Sequence, residues 1–295
     1  MGYLFLALSL LCGATKGFCG KKTSGFVREY KDAMFANFIR MLFCIAIGFA
    51  LLLFGGGLSA LRVSPTVAWI CLLSGFANAS FVVLWLISVK NGAYMMLDVF
   101  CMVGVLIPII GSALLFNETI EPHHIIGFAI LLCAVFIMCS YNNSVKTKMT
   151  PLSLLLLIGC GITNGLLDFS QKLFRENSGD TPIAVFNLYT YFVSAVLLGI
   201  CFLVFSAKSE SRMPSDIKPI FGYILVMSLC LFLYSYFKTL AAGYLSSAQL
   251  YPLAQSGSLI LSCIMAAVFF KEKLTAKCVL GILLSFAALI VINVL

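Results

Sequence analysis

Residues 12–17 read CGATKG and residues 160–165 read CGITNG, so the two words agree at four of six positions, 148 residues apart. Further identical pairs follow in the same order at spacings of 150 to 154: Lys22 with Lys172, Asn37 with Asn187, Glu118 with Glu272, and Gly127 with Gly281. An ordered series of matches with a slowly drifting spacing is typical of an internal duplication. The sequence therefore predicts two related halves.

Composition places both halves in a membrane. Of the 295 residues, 62% are hydrophobic, 10% are charged, and the mean hydropathy is +1.08. Soluble domains have about 45–50% apolar and about 25% charged residues. The apolar runs are long and continuous, unlike the alternating strands of a transmembrane β-barrel. We therefore predict a helical integral membrane protein.

Ten apolar segments are separated by turn-forming or polar residues, and each is long enough to cross the bilayer as a helix. Their predicted bounds are 3–20, 33–54, 66–89, 93–116, 122–141, 151–174, 183–207, 218–240, 246–270 and 274–294. The predicted fold is all-α and polytopic, with repeats at 1–145 and 146–295. Since five crossings per half insert the second half upside down, these repeats would be inverted, with a site between them near the midplane.

The second half holds a run from Leu250-Tyr251-Pro252-Leu253 to Glu272, followed by Leu274-Thr275 and Gly281, and a glutamate follows both helix 4 (Glu118) and helix 9 (Glu272). These motifs resemble those of the drug/metabolite transporter superfamily, in its EamA-like ten-helix form. The sequence departs from the family at Asp98, which stands where the second half has Pro252. It also departs at Asn117 and Lys271, which replace the usual glycine before the glutamate.

This resemblance implies a secondary active transporter in a bacterial plasma (inner) membrane. The cargo would be a small polar or amphipathic, amino-acid-like metabolite, and efflux is one direction it implies. Transport would proceed by alternating access, without a cofactor. The alternative is a lipid-headgroup flippase, or an accessory subunit of one, with a polar stripe that reaches a membrane face.

The charge distribution predicts an orientation. Loops 1–2, 3–4, 5–6, 7–8 and 9–10 hold thirteen basic residues: Lys21, Lys22, Arg28, Lys31, Lys90, Lys146, Lys148, Lys208, Arg212, Lys218, Lys271, Lys273 and Lys277. The opposite side holds three: Arg62, Lys172 and Arg175. The positive-inside rule then places both termini outside, whereas many relatives in the superfamily are thought to keep both in the cytoplasm.

Polar side chains within membrane spans are costly and mark candidate sites. The predicted substrate-binding residues are Asn78, Trp85, Asp98, Asn164, Asp168, Tyr234, Lys238, Gln249, Tyr251 and Gln255. Asp98 and Arg40 are the predicted coupling residues. Their side chains would line a central cavity with walls from helices 1, 3, 4, 6, 8 and 9.

The roles of three charged residues stay open. Asp98 is a proton or cation site, a partner for a substrate amine, or half of an ion pair with Lys16, Arg40 or Lys238. Arg40 either binds a carboxylate or phosphate or pairs with Asp98. Lys16 lies near a helix end, where snorkelling to the interface is the favoured interpretation.

Two polar stripes have alternative interpretations as well. Asn164, Asp168 and Gln171 follow i, i+4, i+7 spacing on helix 6, with Gly161 on the same face, so they form a cavity wall or a helix contact. Helix 9 carries Gln249, Pro252 and Ser256 on one face, which is a substrate wall or a packing surface. The glutamates Glu118 and Glu272 are interpreted as structural acids in the first turn of the following helix.

Catalysis is poorly supported. The two histidines, His123 and His124, lie in a short loop, no G-x-G-D word surrounds Asp98 or Asp168, and no Walker A sequence occurs. No catalytic residue, metal site or cofactor is predicted, and the 12 cysteines have the pattern of small buried hydrophobes. The expected partners are a small-molecule substrate and the lipid bilayer, with no nucleic acid, in a monomer or homodimer.

Overall fold

A computed structural model describes residues 1–24, 29–55, 57–90, 100–139, 151–207, 218–270 and 276–294. Every regular element in these ranges is a helix. The α-helices are α1 (Gly2–Ser24), α2 (Tyr30–Gly55), α3 (Pro65–Lys90), α4 (Leu106–Phe116), α5 (Pro122–Cys139), α6 (Pro151–Asn177), α7 (Ile183–Ala207), α8 (Phe221–Ala241), α9 (Ser247–Phe270) and α10 (Ala276–Val294). Two short 3₁₀ helices lie at Leu58–Leu61 and Lys218–Ile220, and residues 100–104 are helical before a turn at Val105.

The helices have the length and composition of membrane spans. Within the described ranges, six segments are long and apolar enough to cross a bilayer: Gly2–Gly20, Tyr30–Phe54, Pro65–Ser88, Leu154–Asn177, Ile183–Ala207 and Lys218–Ala241. Shorter apolar helices cover Phe100–Phe116, Pro122–Ala134 and Val279–Ile292. The prediction of an all-α membrane protein is confirmed, while the number of ten crossings stays a prediction.

Large apolar side chains cover the outside of the bundle. Phe54, Leu114 and Trp69 are 92%, 76% and 72% exposed. In water such a surface would drive aggregation, whereas against lipid tails it carries no such cost. These side chains are therefore placed to face the bilayer.

The main contacts between helices are the same when the two halves are exchanged. In this exchange α1 corresponds to α6, and each later helix of the first half corresponds to the helix five positions further along the chain. The α1–α8 contact has its counterpart in α6–α3, the α2–α8 contact in α7–α3, and the α1–α9 contact in α6–α4. The pairs α2–α7, α4–α9 and α5–α10 each join a helix to its own counterpart. The core therefore lies between the halves, as a duplicated membrane fold requires.

Glycines allow α6 to cross the helical stretch before α4 at backbone distance. A Cβ atom on Gly104 would overlap the carbonyl oxygen of Gly161, and one on Gly165 would overlap the carbonyl oxygen of Gly104. Such crossings of small residues are common between membrane helices. The Gly161 end of the predicted polar stripe on α6 is thus a helix contact and not a cavity wall.

Candidate functional site

A buried ion pair joins α6 to α8 inside the bundle. The Nζ atom of Lys238 lies 2.6 Å from Oδ1 of Asp168, and the two side chains are 4% and 5% exposed. The sequence identified both residues as candidates but did not predict that they pair. Because each charge neutralises the other in a water-poor setting, removal of one would leave the other buried and unpaired.

Two tyrosines, Tyr234 and Tyr251, contact this ion pair. The hydroxyl of Tyr251 on α9 donates a hydrogen bond to the backbone oxygen of Asp168 at 2.7 Å. The ammonium of Lys238 donates to the hydroxyl of Tyr234 at 3.4 Å and lies 5.4 Å from the ring centroid of Tyr251. Tyr251 is fully buried, so it holds α9 against α6, whereas Tyr234 is only partly buried.

A second cation contacts the ring of Tyr234. The Nζ atom of Lys16 on α1 lies 4.5 Å from its centroid, and that of Lys238 lies 5.5 Å away. The position of Lys16 near a helix end favours snorkelling of its side chain to the membrane interface. The structure instead places its ammonium against an aromatic face inside the bundle, where the negative face of the ring stabilises a cation.

Arg40 on α2 adds a third cation. Its helix packs against α8, as α1 does, and the positive charges of Arg40 and Lys238 both repel that of Lys16. The Nε atom of Arg40 is buried and has no hydrogen-bond partner in the part of the chain that the structure describes. Among the described residues, neither Lys16 nor Arg40 forms an ion pair. With Asp168 as the one acid in contact, the described cluster carries a formal excess of two positive charges, three cations less one anion.

The polar stripe on α6 continues toward α8. The side chain of Gln171 donates to Ser235 at 3.4 Å, and Ser235 donates to Asn187 on α7 at 2.9 Å. Because Asp168 and Gln171 both contact α8, this part of the stripe joins helices. Asn164 is partly exposed, and its amide nitrogen lacks a hydrogen-bond partner among the described residues.

The structure thus brings together Asp168, Tyr234, Lys238 and Tyr251 from the predicted substrate-binding set. Two others lie apart: Asn78 is buried between α3 and α7, where it donates to Ser194 at 3.0 Å, and Trp85 packs near Leu157 and Cys160. Gln249 and Gln255 are partly buried on α9. Asp98 lies outside the described residues, so its predicted coupling and pairing roles stay predictions.

A model of the EamA-like transporter family matches this chain twice, at residues 1–140 and 151–294. The chain belongs to the EamA-like transporter family, within the drug/metabolite transporter superfamily. The resemblance seen in the sequence is therefore confirmed, and this family membership identifies a membrane transporter. EamA-like family members are transporters and not enzymes, which is consistent with the prediction of no catalytic function.

Solved structures support the fold. The chain is similar to a protein of known crystal structure, with a TM-score of 0.78 and 16% identity over 99% of this chain and 96% of the other. In all, 28 solved chains match. Identity this low shows the fold alone. No curated protein sequence matches the chain.

The glutamate after α4 has the structural role that the sequence predicts, but at a different helix. Glu118 lies before α5, outside its first turn, and its carboxylate accepts a hydrogen bond from the backbone N–H of Ser247 at 2.8 Å. Its other oxygen lies 2.6 Å from Nζ of Lys172 on α6. Glu118 therefore caps α9, a helix of the other half, rather than the helix that follows it in sequence. Glu272, the second such glutamate, lies outside the described residues.

The residue before this glutamate explains a departure from the EamA pattern. Asn117 ends α4 with φ 53° and ψ 31°, in the left-handed region. Glycine adopts this conformation without strain, and asparagine is the side chain that tolerates it best. Asn117 thus preserves the turn for which the family uses glycine.

Proposed function

We propose that this EamA-like protein is a secondary transporter that moves a small polar metabolite by alternating access through the cluster of Lys16, Arg40, Asp168, Tyr234 and Lys238. The observation that carries the proposal is the position of these charges. They come from α1, α2, α6 and α8, and so from both halves of a membrane bundle. Ionisable groups within membrane helices are costly and are characteristic of transport pathways.

The symmetry of helix packing supports alternating access. The α1–α8 contact has a counterpart in the α6–α3 contact. If each half adopted the conformation of the other, the protein would reach a second state of similar energy that is open to the opposite side of the membrane. An inverted orientation of the second half, which the sequence predicts from five crossings per half, is the arrangement that makes the two states face opposite sides of the membrane.

One end of the bundle carries a contact between the halves that such a transition must break. Glu118 from the first half binds Lys172 and the N-terminus of α9 from the second. Ser112 and Ser247 add a hydrogen bond of 2.7 Å at the same place. We propose that these contacts close this end while the opposite end gives access to the cluster.

Orientation and energy coupling are also proposals. The loops that join predicted helices 1–2, 3–4, 5–6, 7–8 and 9–10 hold the excess of basic residues, which favours a topology with both termini outside. A C-terminal fusion to alkaline phosphatase, active only outside the cytoplasm, tests it: an active fusion supports this topology, and an inactive one reverses it. Asp98 and Arg40 stay the proposed coupling residues, with solute exchange or a proton gradient as the energy source.

Reconstitution tests the proposed function. Purified protein in liposomes would be preloaded with one candidate solute from a panel of amino acids, organic acids, phosphates, amines, sugars and nucleosides. Labelled solute would then be added outside. Protein-dependent accumulation that requires the same solute inside shows exchange. Movement of labelled lipid between leaflets, with no solute exchange, would replace the transporter proposal with the flippase alternative.

A further inference from the structure

We propose that Lys16 and Arg40 bind an oxyanion, a carboxylate or phosphate, of the transported molecule. This inference rests on the proposed function and specifies its substrate class. It starts from an imbalance in the cluster, in which Lys238 pairs with Asp168 while Lys16 and Arg40 have no acidic partner among the described residues. A cluster of like charges in a membrane bundle is unfavourable unless an anion or water compensates them.

The three cations are not equivalent. Lys238 has its counterion, since Asp168 lies 2.6 Å away and both are almost completely buried. Lys16 and Arg40 have none among the described residues, and both are only partly buried. Lys16 and Arg40 therefore remain available to a ligand, whereas the charges of Lys238 and Asp168 already neutralise each other.

The surroundings of Lys16 and Arg40 suit an oxyanion. The Tyr234 ring holds the Lys16 ammonium at 4.5 Å from its centroid, which orients the group without neutralising its charge. The Nε–H of Arg40 is a buried donor for which the described residues supply no acceptor. An arginine fork binds carboxylate and phosphate oxygens bidentately, so one oxyanion would supply the missing acceptor and the missing negative charge together.

The repeat shows that the fold does not need these charges. Asn164 stands where the first half has Lys16, at the spacing of 148, and Thr190 stands where it has Arg40, at the spacing of 150. Both positions lie on the same helices of the duplicated packing, α6 for α1 and α7 for α2. Since neutral residues serve in one half, charge in the other half has a role beyond helix packing.

A cationic substrate fits this arrangement poorly. An amine next to Lys16 and Arg40 would meet two positive charges, and the acid nearby, Asp168, is already bonded to Lys238. Like charges a few ångströms apart repel strongly where water is sparse. The same cluster attracts anions, and this electrostatic difference sets the selectivity.

Thermal unfolding of the purified full-length protein tests the inference. The probes are sodium succinate, inorganic phosphate, putrescine and glucose at equal ionic strength, each titrated in dodecylmaltoside with and without phosphatidylglycerol. The variants are Lys16→Asn, which installs the residue of the second half, and Arg40→Gln. Arg62→Gln, an exposed cation outside the cluster, is the matched control. Unliganded unfolding and gel filtration verify that each variant folds.

We expect succinate or phosphate, but not putrescine or glucose, to raise the midpoint. Loss of a charged hydrogen-bond donor should weaken the apparent affinity about tenfold or more in Lys16→Asn and Arg40→Gln. Arg62→Gln should match the wild type. If no oxyanion stabilises the protein, or if both cluster variants respond like the wild type, the inference is wrong.

Two outcomes separate the inference from the proposed function. If liposomes exchange amines or sugars but no anion, the proposed transporter function is supported and the proposed oxyanion site is wrong. If phosphatidylglycerol alone stabilises the protein and Lys16→Asn removes the effect, the oxyanion site stands with a lipid phosphate as its ligand. Transport of a soluble metabolite then gives way to the flippase alternative.

Discussion

The Lys238 ammonium and the Asp168 carboxylate form an ion pair 2.6 Å long that links α8 to α6, with both side chains almost fully buried. The pair satisfies two charges that would otherwise be costly in the bilayer, and Lys238 also contacts the hydroxyl and the ring of Tyr234. Lys16 and Arg40, the other cations of the cluster, form no ion pair among the described residues.

Replacement of either member of the ion pair alone should be strongly destabilising. Asp168→Asn or Lys238→Met leaves one buried charge unpaired and should each cost about 3–5 kcal/mol of folding stability. The double variant should cost less than the sum, since no lone charge remains. Thermal unfolding of the four proteins gives the coupling, and strictly additive losses would contradict the pairing.

Tyr251 should matter through one hydrogen bond. Tyr251→Phe removes the hydrogen bond to the backbone oxygen of Asp168, at a cost of about 0.5–1.5 kcal/mol. Tyr244→Phe is the control, because Tyr244 is 60% exposed. Equal unfolding midpoints for the two variants would argue against a role for Tyr251 in holding α9 to α6.

Glu118 should keep the N-terminus of α9 closed. Glu118→Gln loses the ion pair with Lys172 and weakens the bond to the Ser247 amide, so hydrogen exchange at residues 247–250 should accelerate. Glu121→Gln, an exposed acid in the same loop, should leave that exchange unchanged. Exchange that stays at the wild-type rate in Glu118→Gln would show that this contact does not hold the end shut.

The glycine crossing should not tolerate a methyl group. Gly104→Ala would drive a Cβ atom into the backbone of α6 at Gly161 and should lower stability by about 1–3 kcal/mol. Gly222→Ala on α8 is a matched control, because nothing lies within 4 Å of the added atom. A Gly104→Ala protein as stable as Gly222→Ala would exclude backbone contact at this crossing.

The turn at Asn117 gives a test of conformation. Asn117→Gly should be neutral or stabilising, since glycine adopts the left-handed region freely, whereas Asn117→Val should cost about 1–2 kcal/mol. Unfolding midpoints of the two variants measure the difference. A valine variant as stable as the glycine variant would exclude a left-handed residue there.

Hydropathy and internal repetition could predict most of the fold. The predicted segment 183–207 matches α7 at both ends, and 66–89 differs from α3 by one residue at each end. Membrane helices must satisfy their backbone groups internally, so long apolar runs determine helix position directly. Hydropathy could not predict the turn at Val105 within the predicted segment 93–116, because the residues around this turn are apolar.

The site was harder to predict, because spacing gives the face of a helix but not the neighbour of that face. Spacing predicts a cavity wall for both Asn78 and Asp168, whereas Asn78 donates a hydrogen bond to Ser194 and Asp168 pairs with Lys238. A place near a helix end predicts an interfacial Lys16. Its counterpart in the repeat, Asn164, belongs to a polar stripe that faces protein or water, so the repeat favours the interior instead.

Counterflow in proteoliposomes tests the central claim most directly. Vesicles loaded with an excess of one unlabelled solute should accumulate the labelled form of that solute above its equilibrium level when the wild-type protein is present. We expect this for at least one oxyanion-bearing metabolite and expect Lys16→Asn to reduce the initial rate about tenfold at subsaturating solute. Absence of counterflow for every solute in the panel, with folded protein in the membrane, would contradict transport by this cluster.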